Sequence, residues 1–229
     1  MARLRGVPRH ELHPGAEPVF QLLFGDRDPL VEPGTDTGSP GDWWPVFALV
    51  PDVFDHCVAG FALYRSPKRR LDPQLRELAQ TRVGWDRAST FVFSQHCKSC
   101  RTVGLSEEQI AAIPAWQVAD CFTPAQRAVL AYTDCLAYDA GRVPDGVFEE
   151  LKRHLGDEEI LELTYITCLY AMHATMTRAL RLEFDDVEER VVEVPGPADS
   201  LSVEHTEREL RRIVGSAAAD EGDGPASPG

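Results

Sequence analysis

The sequence predicts an all-α protein, and three observations carry that expectation. From about residue 46 to 182, apolar residues recur at intervals of three and four, the repeat of helices with one buried face. No segment sustains the period-two alternation of a half-buried strand. Helix-starting signals, among them Asp72-Pro73, Ser106 with Gln109, and Thr123-Pro124, divide the stretch into helix-length pieces.

Residues 1–45 are rich in Pro, Gly and Asp through DPLVEPGTDTGSPGDWW and read as an extended arm anchored by Trp43 and Trp44. Residues 46–193 read as one compact helical domain. Pro51 and Asp52 start a helix through DVFDHCVAGFALYR, and Asp72-Pro73 starts the next through QLRELAQTRVGW. A third is expected from about Asp86 to Val103, stopped by Gly104. Ser106 and Gln109 form a capping box for EEQIAAI, and Thr123-Pro124 opens AQRAVLAYTDCLAYDA. Asp145 is expected to cap GVFEELKRHL. The last body helix, DEEILELTYITCLYAMHATMTRAL, is apolar around most of its circumference, which predicts a central position. Residues 194–229 read as a flexible tail with one short amphipathic helix, SLSVEHTERELRRIVG, and a disordered end too polar to offset its ordering entropy.

Composition excludes several functions. The 229 residues, 43% of them hydrophobic, suffice for one sizeable core. Lys and Arg number 23 against 37 Asp and Glu, a net charge of −14 that opposes binding to nucleic acid or an anionic membrane surface. No apolar run approaches the roughly 20 residues of a membrane span, and MARLRGVPRHELHPG lacks the apolar core of a signal peptide. A cytoplasmic protein is expected. Cys57, Cys121, Cys135 and Cys168 are singletons in apolar segments, the pattern of buried reduced thiols; only Cys97 and Cys100 form a close pair.

That pair lies in FSQHCKSC, directly after a histidine. At about 100° per residue, Cys100 falls about 40° from His96 on a helix and Cys97 about 100° away. Ser89, Val92 and Phe93 extend the His96 face, giving a mostly apolar stripe with one imidazole and one thiol. On the preceding helix, Glu77 would approach His96 if the two helices pack antiparallel through a short turn. A carboxylate and an imidazole facing an apolar pocket can divide the roles of acid, base and orienting partner. The thiols sit in the last turns before Gly104, where the helix dipole disfavours a thiolate, although Lys98, Arg101 and a protonated His96 offset this. A zinc site lacks a second ligand pair at suitable spacing, so no metal is expected. His56 with Cys57 reads as packing, and Tyr170 and His173 as core or pocket wall.

The spacing of these residues resembles the carboxymuconolactone decarboxylase and alkylhydroperoxidase D superfamily. Its peroxidase branch carries Glu-x11-Cys-x2-Cys-x3-His, then a glycine eight residues on. Here Glu77 and His96 stand 19 apart, Gly104 lies eight beyond His96, and LSEEQI follows. LYRSPKRRLDPQLRELAQTRV, FTPAQRAVLAYTDCLAYDAGRVPDGVFEEL and ITCLYAMHATMTRAL extend the likeness over roughly residues 46–185. The two cysteine positions of the peroxidase pattern fall on Ser89 and Val92, while Cys97 and Cys100 follow the histidine. In the decarboxylase-like branch an aromatic-Glu-Trp segment precedes that histidine; Phe91, Val92 and Phe93 occupy those places, so the acidic member is absent. The resemblance implies the family's compact helical fold and a homo-oligomer.

The expected function is a cofactor-independent acid–base enzyme acting on a small organic substrate, by decarboxylation, elimination, ring opening or isomerisation. His96 is the expected proton-transfer residue and Glu77 its orienting partner. Cys100, Ser89, Val92 and Phe93 would line the pocket, and Arg178, at a helical position where decarboxylase-like relatives also carry arginine, would bind a substrate carboxylate or form a structural salt bridge to an acidic neighbour. Two alternatives stay open: a thiol peroxidase or disulfide reductase using Cys97 and Cys100, and a non-catalytic binding or assembly protein on the same scaffold.

Overall fold

A computed structural model of the chain describes residues 2–32, 43–64, 66–182 and Arg212. Among these residues the structure is helical and contains no strand. The expected short helix through SLSVEHTERELRRIVG and the expected tail lie outside the described residues, Arg212 apart. Among the described residues the chain forms two compact units, one of residues 4–32, 43–64 and 66–68 with Arg212, and one of residues 69–182 with residues 2–3. No described helix is long and apolar enough to cross a membrane.

In the first unit, the stretch expected to be extended contains a helix, α1 (Glu17–Phe24). A proline in its first turn starts it, and Val19, Phe20, Leu23 and Phe24 give it an apolar face that the Pro- and Gly-rich surroundings conceal. The short α2 (Trp43–Phe47) and then α3 (Pro51–Tyr64) follow. Aromatic rings join them. Phe20 meets Phe54 at 6.0 Å between centroids, Trp44 meets Phe54 at 6.0 Å, and Trp43 stacks on Phe47 at 3.9 Å.

The second unit is built around α4 (Pro73–Asp86), which is capped by Asp72 through the amides of Gln74 and Leu75. It packs on α5 (Thr90–Thr102), α7 (Pro124–Ala137) and α9 (Asp157–Leu180). Between these run α6 (Glu107–Ala112), a 3-10 turn (Ile113–Val118) and α8 (Asp145–Lys152). The capping box of Ser106 with Gln109 forms as the sequence predicts, and Thr123, expected to open α7, forms a second one with Gln126. Asp145 does not act as a cap: Pro144 holds that position, and no side chain bonds the helix start.

The faces of α4 explain its placement. Leu75 and Ala79, four residues apart, join Val129, Tyr132, Leu151, Ile160 and Leu163 in one apolar cluster. Leu78, on another side, joins Phe93, Cys97, Cys100, Ile113, Trp116 and Leu130 in a second. The remaining side carries Glu77, Gln80 and Thr81, all fully buried. The most enclosed helix is therefore α4 rather than α9, which leaves Leu161, Tyr165, Cys168 and Met172 exposed.

Candidate active site

The site begins with the turn between α4 and α5. The sequence predicts a helix from Asp86, but the chain first reverses. Arg87 ends α4, Ala88 takes a left-handed φ of 50°, and the Ser89 amide bonds the Gly84 carbonyl at 2.8 Å. Ser89 then caps α5 by accepting from the Val92 amide at 3.2 Å. Gly84 allows the two helices to approach closely, since a Cβ there would stand 2.7 Å from the Phe93 backbone nitrogen.

This approach brings Glu77 and His96 together. Glu77 is 0% exposed and His96 4%, and the imidazole Nδ1 lies 2.8 Å from Glu77 Oε2. A carboxylate only accepts, so Nδ1 carries the proton and Nε2 bears the ring's basic lone pair. Glu77 Oε1 accepts from Arg76 Nε at 3.1 Å and Nη2 at 2.8 Å. Both carboxylate oxygens are engaged, and Arg76 supplies a countercharge independent of His96. The edge of Tyr170 from α9 meets the imidazole at 4.4 Å and 89°, and His173 lies 5.8 Å beyond Tyr170. Glu77, His96 and Tyr170 can thus fix one tautomer of one buried histidine.

The thiols belong to the surrounding core. Cys97 and Cys100 are completely buried within the Leu78 and Phe93 cluster, and all six cysteines are free thiols. Burial pushes the Cys100 thiol far above its ordinary range, and the Glu77 charge adds to the rise. Thr81 Oγ1 lies 3.1 Å from Cys100 Sγ and donates to the Glu77 carbonyl at 2.7 Å.

The other anticipated residues are spread around this centre. Val92 and Phe93 are buried, Phe93 against Trp85 at 5.7 Å. Ser89 Oγ lies 3.1 Å from Thr177 Oγ1, tying the start of α5 to α9. Arg178 Nη1 donates to the Ala88 carbonyl at 2.8 Å and so holds the interhelical turn. Among the described residues no group of three or more His, Cys, Asp or Glu is arranged to hold a metal.

Sequence reasoning missed two features. One is Gln80, one turn past Glu77. The other is a buried ionic cluster around Arg82, which reaches Asp134 at 2.6 and 3.2 Å, Asp86 at 2.9 Å, and the Ile113 and Pro114 carbonyls at 3.0 Å each. Burial pushes the Asp86 carboxyl up to about 7, against the lowering effect of Arg82. Beyond it lies an open groove of about 430 Å³ lined by Trp116, Arg127, Val147 and Glu150 among others.

Residues 51–134 match the carboxymuconolactone decarboxylase family. An uncharacterised protein of Bacillus subtilis (strain 168), YdfG, is 27% identical over 92 residues, 40% of this chain; the matched stretch spans 63% of that relative's length. Among solved structures, an Agrobacterium tumefaciens protein of unknown function, described as an AhpD-type antioxidant defence protein, is 23% identical. Its TM-score is 0.53, over 61% of this chain and 94% of that one. The debrominase Bmp8, as a cysteine-to-alanine variant in complex with 2,3,4-tribromopyrrole, superposes with a TM-score of 0.58 at 16% identity, over 93% of this chain and 96% of its own. At these identities the solved structures show a common fold. The region matched to the carboxymuconolactone decarboxylase family spans the helices that carry Glu77 and His96, and the fold is that of the AhpD-type neighbours.

Proposed function

We propose that the chain is a cofactor-independent enzyme that moves a proton on a small, largely apolar organic substrate, with His96 as general acid or base and Glu77 as its orienting partner. The observation that carries this reading is the buried 2.8 Å contact between His96 Nδ1 and Glu77 Oε2. A carboxylate on Nδ1 fixes the ring and its tautomer and stabilises the imidazolium formed when Nε2 takes a proton. Arg76 keeps Glu77 compensated while His96 is neutral, so the imidazole is able to cycle between its two charge states. Decarboxylation, elimination, ring opening and isomerisation each need one such transfer. The test is His96→Gln: turnover is lost, with helical content unchanged by circular dichroism. Full activity in that variant sinks the proposal.

A thiol reading is the alternative, favoured by the position of Cys100 one turn from His96 and by fold neighbours that include an AhpD-type protein and a debrominase solved as a cysteine variant. It requires peroxide to convert Cys97 and Cys100 to a disulfide, a loss of two hydrogens by mass, with turnover absent in Cys100→Ser. The burial of both sulfurs argues against it. A homo-oligomer in the cytoplasm completes the proposal. It is supported by the exposed stripe Leu161, Tyr165, Cys168 and Met172 along α9, and sedimentation showing only monomer would remove it.

A further inference from the structure

Gln80 is 0% exposed, yet neither its Oε1 nor its Nε2 has a hydrogen-bond partner among the described residues. Buried amides are almost always paired, because leaving one unpaired forfeits the bonds it makes with water in the unfolded chain. Its location gives the exception a meaning. At about 100° per residue, Gln80 stands about 60° around α4 from Glu77, one turn on, with Cβ atoms about 5–6 Å apart. On its other side, about 100° around the helix, stands Ala79, in the cluster that α9 supplies through Ile160 and Leu163. Gln80 thus lies on the arc of α4 between the side facing α5 and the side facing α9, where His96 of α5 meets Tyr170 of α9.

We propose that the Gln80 amide is a substrate-binding group of the His96 site and that it selects a neutral ligand bearing an adjacent hydrogen-bond acceptor and donor, of the cis-amide or lactam class. The inference rests on reading His96 and Glu77 as the reactive pair. A glutamine amide offers a carbonyl acceptor beside an N–H donor, and a cis-amide presents the same two groups in reverse, so the pair closes with two parallel bonds. An anionic ligand is disfavoured. Glu77 stands one turn away, and an uncharged amide does not compensate a buried carboxylate. A ligand with an acceptor alone leaves the Gln80 carbonyl unpaired, and that asymmetry is the source of selectivity.

The experiment uses the full chain and three six-membered probes, 2-piperidone, δ-valerolactone and cyclohexanecarboxylate, titrated while imidazole and tyrosine resonances are followed by NMR. The expected result is binding of 2-piperidone about tenfold or more tighter than either other probe. In Gln80→Leu that preference disappears and thermal stability does not fall. If Gln80→Leu fails to fold, Gln80→Met, unbranched and of similar volume, carries the same expectation. Equal binding of lactam and lactone by the parent chain, no lactam binding, or a preference that survives loss of the amide overturns the proposal. Glu77→Gln, in the same spectra, separates this failure from failure of the proton-transfer reading. A His96 ring that ignores Glu77→Gln defeats the relay whatever Gln80 does, whereas a responsive ring with an unselective Gln80 defeats only the present inference.

Discussion

Gly84→Ala is the sharpest test of how the fold builds the site. A Cβ at this position would meet the Phe93 backbone nitrogen at 2.7 Å, the Phe93 Cα at 3.0 Å and the Val92 Cγ1 at 3.0 Å, whereas ordinary contact begins at 3.4 Å. Two of the three atoms are backbone, so relief requires α5 to move away from α4 by about 0.7 Å. Alanine favours a helix interior by about 1 kcal/mol over glycine, but forced separation of packed helices costs about 1–3 kcal/mol, so the clash prevails or at best breaks even. The same movement stretches the 2.8 Å contact between His96 and Glu77 beyond hydrogen-bond length. Misplacement on this scale costs on the order of 100-fold in rate. The expected outcome is a melting temperature lower by up to several degrees, since about 1 kcal/mol shifts a chain of this size by about 2–4 °C. It comes with loss of the carboxylate-bonded Nδ1–H signal in the proton NMR spectrum. A variant of parental stability that retains that signal would refute the packing argument.

Three further outcomes are expected. Asp86 has a side chain sealed from solvent and a carboxyl raised from 3.8 to about 7, so its contribution to stability is fully present below pH 3.8 and is lost as pH rises to about 7. Between pH 5 and pH 8, urea denaturation should therefore show Asp86→Asn gaining on the parent by about 3 kcal/mol; parallel profiles would remove this account. Arg82→Met leaves Asp134 and Asp86 buried without their cation and should cost about 3–5 kcal/mol in the same assay, a value near zero meaning that the cluster is unimportant. Iodoacetamide at neutral pH should alkylate the exposed Cys168 well before Cys100; the reverse order by peptide mass mapping would revive the thiol reading.

Much of the fold was legible because local rules and packing agree. Asp72-Pro73, Ser106 with Gln109, and Thr123-Pro124 start helices by satisfying orphan amides within three residues, an interaction written into the sequence itself. The α4–α5 turn was less legible, because Arg87 and Ala88 contain no glycine or proline, and the left-handed Ala88 is held by the distant Arg178. The helix α1 was hidden for the opposite reason: its flanks look like loop, while its apolar face acquires meaning only against Phe54 of α3. At the site, Glu77 and His96 could be paired because 19 residues and one reversal fix their register. Tyr170 and Gln80 could not, since α9 arrives from about 80 residues away and periodicity does not tell a buried glutamine from an exposed one.

The adjacency of Cys100 to this pair raises the question of which chemistry the site favours, and Thr81 bears on it. A threonine hydroxyl has a single proton. Thr81 Oγ1 commits that proton to the Glu77 carbonyl at 2.7 Å, so at its 3.1 Å contact with Cys100 it acts as the acceptor and the sulfur as the donor. The bond therefore holds the proton on Cys100, in the same direction as burial and the neighbouring Glu77 charge. Liberating a thiolate requires Thr81 to turn its hydroxyl away from the helix backbone while a second anion is buried beside Glu77. His96 needs no such rearrangement, because its Nδ1–H already donates to the carboxylate and the nitrogen proposed to exchange protons is the other one. One stretch of sequence supplies both groups, and the hydrogen bonding favours the imidazole for proton transfer over the thiol for redox work.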